Sequence, residues 1–135
     1  MLFILIMEQL AETFSKKERL CGIKAIDELF DTGRTFQAPL FRAVCSIKPA
    51  AADLASVRLL VSVAKKHFRK AVDRNLLRRR IKEAYRKHKN LLVKPLTENN
   101  KRADIAIIWK DQVIADYREI EISMLDILSK IARQV

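Results

Sequence analysis

Two periods of apolar residues alternate along the chain. Ile23, Ile26, Leu29 and Phe30 fall at i, i+3, i+6 and i+7, which predicts one apolar stripe of a short helix stopped by Gly33. Residues 40–47 (LFRAVCSI) have strand composition, with Phe41, Ala43, Cys45 and Ile47 on one side. Residues 49–53 (PAAAD) connect to a second strand, 57–63 (VRLLVSV), whose near-continuous apolar run predicts burial on both faces. From residue 71 to about 92, Leu77, Ile81, Ala84, Tyr85 and His88 share one helical face. Pro95 is expected to end that helix and residues 97–102 (TENNKR) to form a polar loop. Residues 104–109 (DIAIIW) read as a third strand. From Asp116, a natural N-cap, Tyr117, Ile120, Met124, Ile127, Leu128 and Ile131 trace a closing amphipathic helix. The predicted order is α-β-β-α-β-α: an α/β (α+β) two-layer sandwich with helices packed on a small sheet. Tyr85 and Trp109 are expected in its core.

The 135 residues suit one domain. Residues 1–13 are expected to be an N-terminal extension and residues 14–135 a single domain. Met1 to Met7 (MLFILIM) is apolar but far shorter than the roughly 20 residues that span a bilayer. No basic residue precedes it and no small-residue cleavage site follows, so it does not read as a signal peptide. Met7 is an alternative start. Cys21 and Cys45 are the only cysteines, which excludes a disulfide scaffold and fits a cytoplasmic protein. Each is expected to pack as a small buried side chain.

Charge changes the picture more than composition does. The formal net charge is +11. Residues 58–89 hold 13 Lys/Arg and two acids, Asp73 and Glu83, so this stretch carries the whole excess. On a helical wheel Asn75, Arg78, Arg79, Lys82, Arg86 and Lys89 fall within about 100° of arc. The apolar stripe lies more than 90° away. One face of the helix should therefore pack on the sheet while the other presents a cationic ridge, which Lys65 and Lys66 extend into the preceding connection. Such a surface calls for a polyanion. Asp73 and Glu83 are expected as local ion-pair partners. His67 and His88 stand 21 residues apart with no companion carboxylates in a pattern, so both read as structural. Neither a catalytic residue nor a protein metal site is expected.

Ala71-Val72-Asp73-Arg74-Asn75, then Arg78-Arg79, then Lys82-Glu83-Ala84-Tyr85-Arg86, preceded by Ser62-Val63-Ala64-Lys65-Lys66, resembles the signature of the bacterial ribonuclease P protein component. The similarity runs from Phe14 to Ala132. One departure is Leu76, where that family usually has Arg, and Arg80 is the expected compensation. The resemblance implies the ribosomal protein S5 domain 2-like fold, with a mixed sheet and a left-handed crossover. It further implies the protein subunit of an endoribonuclease that matures the 5′ end of tRNA. There the catalytic centre lies in the RNA subunit, and Mg²⁺ is held by RNA and substrate. The implied partners are ribonuclease P RNA, one protein per RNA subunit, and precursor tRNA. The implied RNA-binding residues are Lys65, Lys66, Arg69, Lys70, Arg74, Asn75, Arg78, Arg79, Lys82 and Arg86. The implied cleft for the single-stranded 5′ leader is Ile26, Phe30, Phe41, Val44 and Lys65. A structural ribosomal RNA-binding protein is the alternative. A DNA-binding regulator is disfavoured because the basic helix follows a strand rather than a helix-turn-helix turn, and a membrane-surface helix because the apolar face is weak and interrupted.

Overall fold

The computed structural model describes residues 16–135, so the expected extension at 1–13 lies outside the described residues. A 3-10 turn, Lys16–Glu18, leads into α1 (Ile23–Thr32), β1 (Arg34–Gln37), β2 (Phe41–Pro49), β3 (Val57–Ser62), α2 (Ala71–His88), α3 (Asn90–Glu98), β4 (Lys101–Trp109) and α4 (Tyr117–Ala132). The four strands form one mixed sheet in the order β1-β2-β4-β3. β2 is antiparallel to β1 and β4, while β3 and β4 run parallel. The α2–α3 pair is the crossover that parallel strands require.

Strand alternation divides the interior between the two faces of the sheet. Phe41, Ala43, Cys45, Leu59, Ile105, Ile107 and Trp109 face the main core, where Leu77, Ile81, Tyr85, Leu92, Leu96, Met124 and Ile127 cover them. Val44 and Ala106 face the other way, against Leu20 and Leu29, with Ala25, Ile26, Leu60 and Ile108 at the margin. Tyr85 and Trp109 are fully buried, as the sequence predicts. Burial pushes the Cys45 thiol up to about 12, with Asp104 adding to the effect. Cys21, by contrast, is exposed.

Several boundaries differ from expectation. β1 was not expected at all: its four residues are mostly exposed, so they carry no apolar alternation. The long helix breaks at Lys89, and Pro95 sits inside α3 instead of ending it. Leu92 and Leu96 are fully buried there and anchor the short helix despite the missing proline donor. The supposed polar loop is only a turn at Asn99 and Asn100, and Lys101 already belongs to β4. Asn100 has φ 54°, a left-handed conformation that Asn tolerates. In α1 the buried residue is Leu29, while Ile23 and Phe30 are 82% and 46% exposed. The closing helix is as predicted, with the Asp116 carboxylate accepting from the Glu119 amide at 2.9 Å.

Gly33 ends α1 with its N–H donated to Leu29 O at 2.8 Å. Its backbone is extended (φ −77°), so the glycine answers a lack of space. A Cβ here would lie 2.5 Å from Leu29 O and 2.6 Å from Val44 Cγ1. Gly33→Ala should therefore destabilise the domain by about 1–3 kcal/mol, measured as a lower urea midpoint at unchanged m-value. A midpoint equal to wild type would show that α1 shifts freely on the sheet.

Candidate nucleic-acid interface

The cationic ridge forms because α2 is amphipathic in charge as well as in hydropathy. Leu77, Ile81, Ala84 and Tyr85 are buried against the sheet and α4. On the opposite side Asn75 and Arg79 are exposed, and Arg78, Lys82 and Arg86 half-exposed. Lys65, Lys66, Arg69 and Lys70 are exposed on the connection that leads into the helix. Among the described residues, no carboxylate forms an ion pair with Lys65, Lys66, Arg69, Lys70, Arg78, Arg79 or Lys82. Arg78 donates to Asn75 Oδ1 at 3.2 Å, which aligns the two along the ridge.

Three basic residues are held differently from the wheel's expectation. Lys89 is buried, its Nζ 3.1 and 3.2 Å from the two Glu18 carboxylate oxygens. Arg80, the expected compensation for Leu76, donates to Ala115 O and ties α2 to the segment before α4. Arg86 grips Glu83 through two hydrogen bonds of 3.0 and 2.7 Å, and this holds the Glu83 carboxyl below its usual range. Glu83 is thus the ion-pair partner expected, whereas Asp73 forms no ion pair among the described residues.

Arg19 is a cation that helical spacing could not reveal. Leu20 N donates to Leu59 O at 2.9 Å, so the segment beside Arg19 lies along β3. The Glu18–Lys89 pair lays the same segment against α2. Burial first, then the charges of Arg19 and Arg78, pull the Lys82 pKa below its usual value. The cationic field therefore spans two separate stretches of chain.

A second surface lies on the sheet face that carries α1. The register sets Gln37, Arg42, Ile108 and Ser62 in one row across the four strands, with Thr35, Val44, Ala106 and Leu60 in the next. α1 packs Leu29 over the Val44–Ala106 row, with Glu28 bound to Lys48 at 2.6 Å. Ile23, Ile26 and Phe30 stand roughly 160–220° around the helix from Glu28, on the side of α1 away from Lys48. This apolar side of α1 and the exposed Arg42 of the same sheet face frame the candidate cleft.

Of the expected cleft residues, Ile26, Phe30 and Val44 belong to this side of the sheet, with Ile26 half-buried and Val44 buried. Phe41 does not. It is fully buried on the opposite face, its ring centroid 6.4 Å from that of Trp109. Phe41 and Val44 are an odd number of positions apart in one strand, so they could never share a face. Strand parity alone would have replaced Phe41 with Arg42. Ile108 could be found only from the register.

Among the described residues no group of three or more His, Cys, Asp or Glu could hold a metal, and no helix is long and apolar enough to cross a membrane. His88 bonds Glu121 at 2.9 Å, which in turn accepts from Tyr117 at 3.3 Å, a clasp between α2 and α4.

Comparison with known proteins supports the fold. The family profile described as ribonuclease P matches residues 14–132. A ribonuclease P protein component of Porphyromonas gingivalis is 38% identical over 121 residues, covering 90% of this chain and 88% of its own. One from Chlorobaculum tepidum is 30% identical over 102 residues, covering 74% and 66%. In fold, the chain is similar to the RNase P protein of Thermotoga maritima, with TM-score 0.66 and 24% identity over 84% of this chain and 96% of that one. It is also similar to the RNase P protein of Staphylococcus aureus, with TM-score 0.65 and 23% identity over 86% and 95%. With a profile spanning the described domain and a relative sharing more than a third of its residues, the chain belongs to the ribonuclease P protein family: RNA-binding subunits that act in tRNA 5′ maturation beside a separate catalytic RNA.

Proposed function

We propose that the α2 ridge, with the 65–70 connection and Arg19, grips phosphates of the ribonuclease P RNA, and that the α1–sheet cleft receives the single-stranded 5′ leader of precursor tRNA. The observation that carries the reading is the separation of two surfaces with different chemistry. The ridge offers Lys65, Lys66, Arg69, Lys70, Arg78, Arg79 and Lys82 with no competing carboxylate paired to them among the described residues. A folded RNA is held mainly through its backbone, which such a ridge suits. The cleft instead combines exposed Phe30 and Ile23 with Arg42. A single strand gains affinity from stacking surfaces beside a cation. In this reading Lys65 lies at the rim of both surfaces, and one protein serves each RNA subunit in the cytoplasm. Mg²⁺ belongs to the RNA subunit and substrate. The protein's part is to orient the leader and to offset phosphate repulsion between the RNAs.

Phe30→Ala tests the cleft. Loss of one stacked base is worth about 1–3 kcal/mol, so the preference of the assembled enzyme for precursor over mature tRNA should drop by roughly five- to a hundred-fold. Folding should be little affected, because Phe30 is 46% exposed. Binding of the protein to the RNA subunit alone should not change. A precursor-to-mature ratio that stays at wild type in both Phe30→Ala and Arg42→Ala would remove the leader from this cleft.

A further inference from the structure

We infer that Arg74 is a positioning residue, which shapes the basic connection before α2 rather than holding RNA itself. The inference rests on the reading of that connection as RNA-binding. Its starting point is a crowding problem. Lys65, Lys66, Arg69 and Lys70 are four exposed cations within six residues. Like charges at this density repel one another and favour an open, disordered connection.

Three contacts oppose that tendency. His67 N donates to Ala64 O at 3.1 Å and closes a turn at Lys65 and Lys66. Phe68 is buried in the main core and pins the middle of the segment. Arg74, in the first turn of α2, reaches back so that one guanidinium nitrogen donates to both Phe68 O, at 2.8 Å, and Arg69 O, at 3.0 Å. Both hydrogens of that nitrogen are thereby committed to main-chain carbonyls. These carbonyls sit at the joint between the connection and the helix, where φ and ψ of residues 69 and 70 decide which way their cations point. Lys70, the N-cap, makes no side-chain capping bond, so the joint has no other side-chain lock at that position. Arg78 and Lys82, by contrast, have no main-chain acceptor among the hydrogen bonds of the described residues and stand free to meet phosphates.

A double-mutant cycle separates the roles. Arg74→Met keeps the length of the stem and removes every donor. The second change is Lys65→Ala, Lys66→Ala, Arg69→Ala and Lys70→Ala together. Affinity for a bacterial ribonuclease P RNA is measured in about 50 mM salt on all four proteins, each shown to be folded by its thermal transition. Arg74→Met is expected to weaken binding roughly ten-fold in the native chain, in line with loss of hydrogen bonds from a charged group. In the chain lacking the four cations it should weaken binding less than about two-fold, because nothing remains to be positioned. Trypsin cleavage within residues 64–70 should accelerate in Arg74→Met. Equal losses on both backgrounds would overturn the inference: a salt slope lower by about one on each would make Arg74 a direct phosphate ligand, and an unchanged slope a purely global stabiliser. If the four-alanine chain binds RNA as tightly as wild type, the RNA-binding reading of the connection fails instead, and the positioning role falls with it.

Discussion

Affinity of the protein for ribonuclease P RNA should fall by about two to three decades between 50 and 200 mM monovalent salt. The figure follows from the ridge. If roughly five of its cations each displace one condensed counterion, the slope of log K against log salt is about −4 to −5. The chain as a whole is +11, but long-range attraction is screened beyond roughly a Debye length, so the slope reports close contacts. Removing Arg78 or Lys82 should flatten the slope by about one each. Arg86→Ala should flatten it less, because its guanidinium is already bound to Glu83. The measurement is a filter-binding or anisotropy titration at several salt concentrations. A slope unmoved by loss of Arg78 and Lys82 together would place the RNA on another surface.

Asp104→Asn should destabilise the fold by about 3 kcal/mol, at the lower end of the range for breaking a buried ion pair because both arginines keep some contact with water. Asp104 is 1% exposed in β4. Arg58 of β3 grips it through bonds of 2.8 and 3.0 Å, and Arg102 approaches both oxygens at 3.3 Å. Burial alone would raise the Asp104 pKa. The Arg58 hydrogen bonds and charge, with Arg102 behind them, outweigh it and hold the carboxyl below its ordinary value. The sign of the pH dependence follows. A carboxyl whose pKa is lowered by folding contributes stability that is complete above its unfolded pKa, about 3.9, and is lost as pH falls through the folded value. The gap between wild type and Asp104→Asn should be widest at neutral pH and should close below about pH 4. Urea midpoints at several pH values check this. A gap that stays constant down to pH 2 would mean that the carboxylate charge contributes nothing.

What could be read from residues alone depended on how far apart the interacting groups lie in the chain. The closing helix was legible because its determinants are local: an aspartate cap and an apolar residue every three or four positions. The ridge on α2 was legible for the same reason. β1 escaped because an edge strand of RTFQ buries too little to impose alternation. Pro95 misled because its usual effect was assigned to the wrong helix. The break at Lys89 is made by tertiary contacts, the Glu18 pair and the burial of Leu92, which no local pattern encodes. Arg19 and Ile108 depend on β-pairing across tens of residues and were invisible for that reason. Phe41 was different. The period-two rule already put it opposite Val44, and its place in the cleft was implied by the resemblance without regard to that parity.

The ridge helix is part of the crossover between two neighbouring parallel strands, and this ties the protein's lifetime to its RNA. A basic tail could lose its ligand without disturbing the domain. Here the helix proposed to meet RNA also supplies Leu77, Ile81 and Tyr85 to the core, and β4 cannot pair with β3 until the chain has passed through it. A ligand that binds only the native arrangement adds RT ln(1 + [L]/Kd) to its stability, about 2.7 kcal/mol at a hundred times Kd. Orphan subunits, carrying their mutual repulsion unrelieved, should open more often and be degraded first. The cellular pool of this protein should then follow the supply of its RNA without any dedicated control.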